Sequence, residues 1–357
     1  MRNTPARLVR AIAVAALTTV VSVPLWSSST TAEAANQPAS TASVVVATFN
    51  VRCANCSKHP MNGREKSWET RAPVIVSEIL DEKVDVIGVQ EASPGLLSGT
   101  RTAQFEDLVS RLGSPYAVTD PSRYNCTRTD TTFTRCGGFK NQGASQDAKI
   151  IYNTAHLTLL AGGSMRLDGR KVGNGSARYM VWAAFRDDRT GKQFIFATAH
   201  FEPGTGKGKT KIRVKQVKKA VPELDRVAGG RPIIWGSDLA SSKLTHTGNK
   251  SYDAFIARGF TDPIGNKYKA KKPVGAYADA MVNEQYFTLN NFAAAPKSYV
   301  SKGYQLGAHL DYILIKKNGH PVDVGEWKEV LRLDSDGTFD GVIPSDHNMV
   351  RATVELG

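Results

Sequence analysis

The chain has 357 residues, with 46 Lys and Arg against 33 Asp and Glu, a formal net charge of +13, and 41% hydrophobic content. Past its first segment no stretch is long or apolar enough to cross a membrane, and no internal repeat or low-complexity linker divides it, which leaves one large α/β domain. A positive surplus of this size draws polyanions: nucleic acid, anionic lipid surfaces or wall polymers.

The N-terminus reads as an export signal. Arg2, Arg7 and Arg10 precede an apolar run at 11–26, broken by Pro24, and Ala32-Glu33-Ala34 fits the small-x-small rule for cleavage. A membrane anchor would need roughly 20 apolar residues. The expected organisation is a signal peptide over 1–34, a flexible leader over 35–43 and a folded domain over 44–357. The mature protein is expected to be secreted and extracellular, monomeric, and without a stable membrane anchor. Four cysteines in an exported chain imply two disulfides with three possible pairings. The local pairing, Cys53–Cys56 and Cys126–Cys136, is expected because each closes a short polar loop. Cys53-Ala54-Asn55-Cys56 also reads as half a zinc clamp or a redox motif, but no second CxxC and no thioredoxin-like context completes either.

In chain order, residues 44–49 form a β-branched strand ending at Asn50. Trp68, Ala72, Ile75, Val76 and Ile79 then recur at three- and four-residue steps, one face of an amphipathic helix. Residues 84–89 form a second apolar strand that delivers Gln90-Glu91, and strand, helix, strand is a parallel crossover unit. The stretch 119–146 is polar and reads as a surface excursion. Strands follow at 149–152, 157–160, 179–185 and 194–199, the last two joined as a hairpin by Asp187-Asp188-Arg189-Thr190-Gly191. Val214, Val217, Val221 and Leu224 mark another helical face, and 232–235 and 310–315 read as two central strands. These elements predict two packed sheets covered by helices, with function gathered in the loops at one end of the strands.

Strand after strand ends in a group able to bind metal or phosphate: Asn50, Gln90-Glu91, His200, Asp238 and Asp311, with Ser345-Asp346-His347 near the C-terminus. A lone Asn or His in such a place is ordinarily a turn residue or a satisfied hydrogen-bonding group; six in succession point to a common task. Hydrolysis of a phosphoester calls for a hard cation held by carboxylate and amide oxygens. Glu91 is the natural ligand, with Asn50 and Asp346 beside it. His347 polarised by a buried Asp311 suits the general base, His200 the donor that steadies the phosphoryl charge, and Asp238 the group that holds the attacking water in line.

Thr48-Phe49-Asn50, Gln90-Glu91, Ala199-His200, Ser237-Asp238-Leu239, Asp311-Tyr312-Ile313-Leu314 and Ser345-Asp346-His347 occur in the order and spacing of the endonuclease/exonuclease/phosphatase superfamily. The chain resembles that superfamily over nearly the whole mature length. Its members include pancreatic-type deoxyribonucleases, abasic-site endonucleases, inositol polyphosphate 5-phosphatases and bacterial neutral sphingomyelinases. The resemblance implies a four-layer α/β sandwich of two mixed sheets flanked by helices, and a divalent ion, Mg²⁺ or else Mn²⁺ or Ca²⁺, on Glu91, with Asn50 as a metal or phosphate contact. It also implies catalytic roles for His200, Asp238, Asp311 and His347. One position departs from the pattern. The superfamily usually reads Gly-Asp-x-Asn after the central strand, and here Ala240 replaces that Asn. Ser241 or Ser242 would have to supply a hydroxyl in its stead. The acidic partner expected for His200 falls at Asp147 or Gln146.

The run 207–219 is dense in lysine and arginine and begins among Gly204, Gly206 and Gly208. It reads either as a flexible basic loop overhanging the site or as a solvated helix face. As a loop, Lys207, Lys209 and Lys211 would hold a phosphate backbone without reading bases, and Arg178, just before the strand at 179, reads either as a further phosphate contact or as a cap of the strand edge. Three functions follow: a secreted nuclease, a phosphodiesterase or phosphatase for lipid headgroups or small phosphates, and an inactive polyanion binder. Tyr286-Phe287 and Asn291-Phe292 are candidates for the apolar hairpin that a lipid-directed enzyme carries, but they are few and sit among polar residues. Nucleic acid is the expected partner.

Overall fold

The computed structural model describes residues 43–121, 148–167, 178–244 and 250–357. The signal expected over 1–34, the leader up to residue 42, the pair Cys126 and Cys136, and most of the polar stretch 119–146 lie outside the described residues.

The first crossover unit is present as β1 (Ser43–Asn50), α1 (Trp68–Asp81) and β2 (Val86–Gln90), with β1 and β2 parallel. Ser43, expected in the leader, already pairs in β1. Trp68, Ala72, Ile75 and Ile79 form the buried face of α1, while Pro73 lies on the exposed face, where its missing N–H costs least. Next come α2 (Gln104–Leu112), β3 (Tyr116–Val118), β4 (Lys149–Asn153), β5 (Leu157–Arg166), β6 (Tyr179–Asp187) and β7 (Gln193–Ala199). The β6–β7 hairpin closes through the Gly191 N–H to the Asp187 carbonyl at 2.7 Å. After α3 (Lys207–Ala228) and β8 (Ile233–Asp238) follow α4 (Lys250–Ile256), β9 (Lys267–Lys269), β10 (Lys272–Val274), β11 (Ala278–Val282), β12 (Asp311–Lys316), β13 (Val322–Glu329) and β14 (Val350–Leu356).

These strands form a seven-stranded mixed sheet in the order β11-β13-β14-β1-β2-β4-β3 and a five-stranded sheet in the order β12-β8-β7-β6-β5, with β9 and β10 a separate hairpin. The core has three parts. Val44, Val46, Val86 and Ile150 of the first sheet meet Phe185, Phe196, Ile234 and Ile313 of the second. The outer face of the first sheet packs with Ile75, Ile79, Phe105 and Leu108 of α1 and α2, and that of the second with Val217, Val221, Leu224 and Phe255 of α3 and α4. Helix, sheet, sheet, helix is the four-layer α/β sandwich.

Two strands differ from expectation. β5 continues to Arg166, six residues beyond the apolar run, because Gly162 and Gly163 pass under Trp182: a Cβ on Gly163 would lie 3.0 Å from its ring. β12 is an edge strand of its sheet rather than a central one; its outer side is covered by Thr261, which exchanges backbone hydrogen bonds with Ile315.

The two sheets approach closely at Gly88. A Cβ there would stand 2.6 Å from the Thr198 side chain and 2.9 Å from the Gly236 carbonyl. Beside it Gln90 donates to Thr198 Oγ1 at 2.8 Å and to Thr48 Oγ1 at 3.1 Å, a polar tie across the sandwich. Gly88→Ala is expected to destabilise the fold by about 1–3 kcal/mol through overpacking, read as a lowered urea midpoint with unchanged slope.

Candidate active site

The parallel pair β1 and β2 and the parallel pair β7 and β8 end where the antiparallel β12 begins, and the 345–348 segment enters β14 antiparallel to β1. One end of the sandwich therefore collects Asn50, Glu91, His200, Asp238, Asp311, Asp346 and His347. Asn50 Nδ2 donates to Glu91 Oε1 at 3.2 Å and to Asp238 Oδ2 at 3.3 Å. His347 Nδ1 meets Asp311 Oδ2 at 2.9 Å, and its Nε2 stands 3.9 Å from Asp238 Oδ2. His200 Nε2 lies 3.6 Å from the same Asp238 oxygen. The alignment of Asp238 with Asp311 in the β8–β12 register and the bridge between His200 and Asp238 fix this spacing in the backbone.

The cluster borders a cavity of about 660 Å³ lined on one side by Glu91, His200, Asp238 and His347 and on the other by the turn leading into α3. Part of the backbone strain lies in the site and the segments beside it. Arg52, Glu91, Ala240, Asn291 and Phe292 have φ between +47° and +59° although none is glycine. Such conformations cost of order 1–3 kcal/mol each and persist where the surroundings hold them.

The charges are strongly coupled. Burial opposes a charge on Asp238, but His347 and His200 outweigh it and hold the carboxyl below its ordinary range. Burial raises Asp311. For His347, burial disfavours the imidazolium, yet Asp311 against Nδ1 overrides it and raises the pKa well above the usual value. The Asp311 partnership leaves Nε2 facing the cavity side. Burial also raises Asp346, whose Oδ2 lies 3.7 Å from the Arg52 guanidinium. Arg52, half-buried and tied to Glu65 at 3.1 Å, is a site residue that the strand-end reading passes over; its only signal is a cation two residues after Asn50.

The donor set fits a hard divalent cation. The Glu91 carboxylate lines the cavity, the Asn50 amide donates to it at 3.2 Å, and the buried Asp346 carboxylate is close enough to feel the Glu91 charge. Oxygen donors of this kind suit Mg²⁺, Mn²⁺ or Ca²⁺.

The basic run is not a loop. Residues from Lys207 onward are the first turns of α3, with Thr210, Arg213, Gln216, Val217, Ala220, Val221 and Leu224 on its buried face. Gly204 and Gly206 do bend the chain, at φ +87° and +98°. Arg213 then fastens the bend, donating to the carbonyls of Glu202 at 2.9 Å and Gly204 at 2.8 Å. The four residues expected to hold phosphate separate accordingly. Lys207 lines the cavity, Lys209 pairs with the buried Glu202 carboxylate, and Lys211 is exposed along the helix. Arg178 sits just before β6, at the strand end that pairs with the His200 end of β7. Asp147 and Gln146 lie outside the described residues.

Ala240 follows β8 by two residues and lines the cavity beside Ser241 and Ser242. Its N–H donates to Asp238 Oδ1 at 2.7 Å, and its φ of +47° is one that Asn tolerates far better than Ala. Ala240→Asn is expected to raise stability by about 0.5–1 kcal/mol and phosphoester turnover by up to about 10²-fold. Thermal midpoint and initial rate measured on one preparation check both.

No protein-family model matches the sequence, and no curated protein matches it. Solved structures do. An endonuclease/exonuclease/phosphatase family protein from Bacteroides thetaiotaomicron is similar at a TM-score of 0.62 with 20% identity, over 88% of this chain and 98% of that one. A mannosyl-6-phosphatase of Bacteroides thetaiotaomicron gives 0.59 with 19% identity over 87% and 99%. TDP2 of D. rerio, complexed with single-strand DNA product, gives 0.55 with 12% identity over 88% and 99%. The chain thus has the endonuclease/exonuclease/phosphatase fold.

Proposed function

We propose that the protein is a secreted, monomeric, divalent-metal-dependent phosphodiester hydrolase that cuts nucleic acid backbones. The observation that carries the reading is the convergence of Asn50, Glu91, His200, Asp238, Asp311 and His347, from six separate stretches, into one cluster of which Glu91, His200, Asp238 and His347 line the cavity. A hard cation bound by Glu91 with Asn50 and Asp346 would offset the charge on the phosphoryl oxygens. In its neutral form, with the Nδ1–H donated to Asp311, His347 takes the proton of the attacking water at Nε2. Asp238, held by the Ala240 N–H and the Asn50 amide, positions that water. His200 donates toward the phosphoryl oxygens.

Three observations favour a nucleic acid. Lys207 and Arg213 bring positive charge to the cavity wall. The whole chain is basic. The fold is shared with a protein whose structure holds a DNA product. The lipid-directed alternative loses its candidate hairpin: Phe292 is fully buried, with the Arg71 guanidinium 5.9 Å from its ring, and Phe287 packs edge-on against Tyr299 at 4.6 Å. Nicking of supercoiled plasmid in Mg²⁺, abolished by EDTA, is the test, run beside RNA, sphingomyelin vesicles and sugar phosphates. Phosphocholine release without nicking would replace the nuclease with the lipid enzyme. Heparin retention with no turnover on any substrate would replace it with the inactive polyanion binder.

A further inference from the structure

Cys53 and Cys56 form a disulfide at one end of a short 3-10 turn, with their Cα atoms 5.2 Å apart. Both sulfurs and a Glu91 carboxylate oxygen lie within 4.8 Å of one another. The link to Glu91 is also a hydrogen bond, from the Cys53 N–H to Oε2 at 3.0 Å. Glu91, the ligand assigned to the catalytic ion, is thus shared between Asn50 on one side and the cysteine turn on the other.

The turn does not depend on the disulfide alone for its place. Gln104 Oε1 accepts from the Ala54 N–H at 2.8 Å, and its Nε2 donates to the Arg52 carbonyl at 2.9 Å. Arg71 donates to the same carbonyl at 3.2 Å, and the Cys56 N–H reaches the Cys53 carbonyl at 3.1 Å. Breaking the sulfur–sulfur bond leaves all of these contacts. Both cysteines are partly exposed, so a small dithiol can reach them.

We propose that Cys53, Cys56 and Glu91 make a second, redox-gated metal site that takes a thiophilic divalent ion such as Zn²⁺ and, by claiming Glu91, switches off the catalytic centre. The switching part rests on the assignment of Glu91 to the catalytic ion. In the reducing step a dithiol transfers two electrons and two protons to the disulfide. Its own sulfurs close into a disulfide, and Cys53 and Cys56 become thiols. Each thiol then gives its proton to solvent as its sulfur bonds the metal. Two thiolates spaced as CxxC with one carboxylate select Zn²⁺ over Mg²⁺, because sulfur donors suit the softer ion. Oxidised, the same turn withholds its sulfurs and holds Glu91 through the Cys53 N–H, the state in which Mg²⁺ competes for Glu91 unopposed.

Co²⁺ is the probe, since thiolate ligation gives it a sulfur-to-cobalt charge-transfer band in the near ultraviolet. Full-length mature protein carrying Cys126→Ser and Cys136→Ser is titrated with Co²⁺ before and after treatment with a dithiol. The band should appear only in the reduced protein, at one ion per chain, and be lost in a further Cys53→Ser variant. Glu91→Gln should weaken Co²⁺ binding by about 10-fold or more. Should the double-serine background not fold, Cys53→Ser and Cys56→Ser in the native chain give the same comparison. In parallel, Zn²⁺ with dithiol should lower Mg²⁺-dependent nicking at least about 10-fold, with recovery on reoxidation. Nicking that proceeds while the reduced protein shows no band overturns the site. An undiminished affinity in Glu91→Gln removes the third donor and with it the switch. A band in a protein that hydrolyses none of the substrates leaves the thiolate site standing and overturns the proposed function instead.

Discussion

His347→Ala is expected to slow phosphodiester hydrolysis by about 10²–10⁴-fold, the usual worth of a positioned general base, while the protein stays folded. The geometry sets both halves of that expectation. Nδ1 is engaged by Asp311 at 2.9 Å, so the imidazole cannot turn, and Nε2 is the nitrogen left on the side of Asp238 and the cavity. Removing the ring leaves Asp311 buried, but burial already raises its pKa, so it can take a proton rather than stand as a naked charge. The variant should therefore lose a few degrees of thermal stability and nearly all of its rate. Dependence on Mg²⁺ separates a base from a ligand. In His347→Ala the half-saturating Mg²⁺ concentration should hardly move. In Glu91→Gln it should rise about 10-fold or more, and excess Mg²⁺ should recover part of the rate. A His347→Ala protein with undiminished turnover would take His347 out of the chemistry.

The end of the sandwich that holds the candidate site is legible where a candidate group follows an apolar run, since apolar runs are what a sequence displays best. Asn50 after β1, His200 after β7 and Asp238 at the end of β8 are such cases, and all three meet at one carboxylate oxygen. Asp311 instead begins β12 and His347 precedes β14. Other elements lack that signal or hide it. Residues 350–356 alternate strictly between buried and half-exposed along β14, but Arg351, Thr353 and Glu355 dilute the run. In α2 the apolar face is Phe105, Leu108 and Leu112 with Val109 beside them, and the helix start is held by Glu106 reaching back to the Ala103 N–H at 2.8 Å, a cap visible only once the turn exists. Of the two readings the basic run allows, the helix face is the one the structure takes. Glycines beside lysines read as a loop, whereas Gly204 and Gly206 supply the bend that lets Arg213 grip two carbonyls and start a 22-residue helix. Ala240 is the reverse case: an apolar residue in a left-handed conformation, whose mismatch becomes plain only from its φ.

Stability is expected to fall as pH rises between about 4.5 and 8, because two buried carboxyls are held as neutral acids. Burial pushes Glu78 in α1 up to about 8, its Oε1 standing 3.9 Å from Arg332 and its Oε2 without a hydrogen-bond partner among the described residues. Burial likewise pushes Glu329, at the end of β13, up to about 8; Oε1 accepts from the Asn348 amide at 2.6 Å, and Oε2 has no partner among the described residues. The buried His309 ring, 4.0 Å away, offers Glu329 no compensating charge, since burial lowers its pKa to about 3. In the unfolded chain both carboxyls ionise near 4.5. Between the two values the folded state holds protons that the unfolded state has released, so unfolding becomes easier with each pH unit. The contribution is complete below about 4.5 and is lost as pH passes through about 8, on the order of a few kcal/mol for each group. Glutamine keeps the shape and cannot ionise. Glu329→Gln and Glu78→Gln should each flatten the decline, and the double variant should surpass the wild type at pH 9 while differing little at pH 5. Urea unfolding midpoints across that range decide the matter: parallel pH profiles for wild type and double variant would mean that both carboxylates are already ionised and solvated in the folded protein.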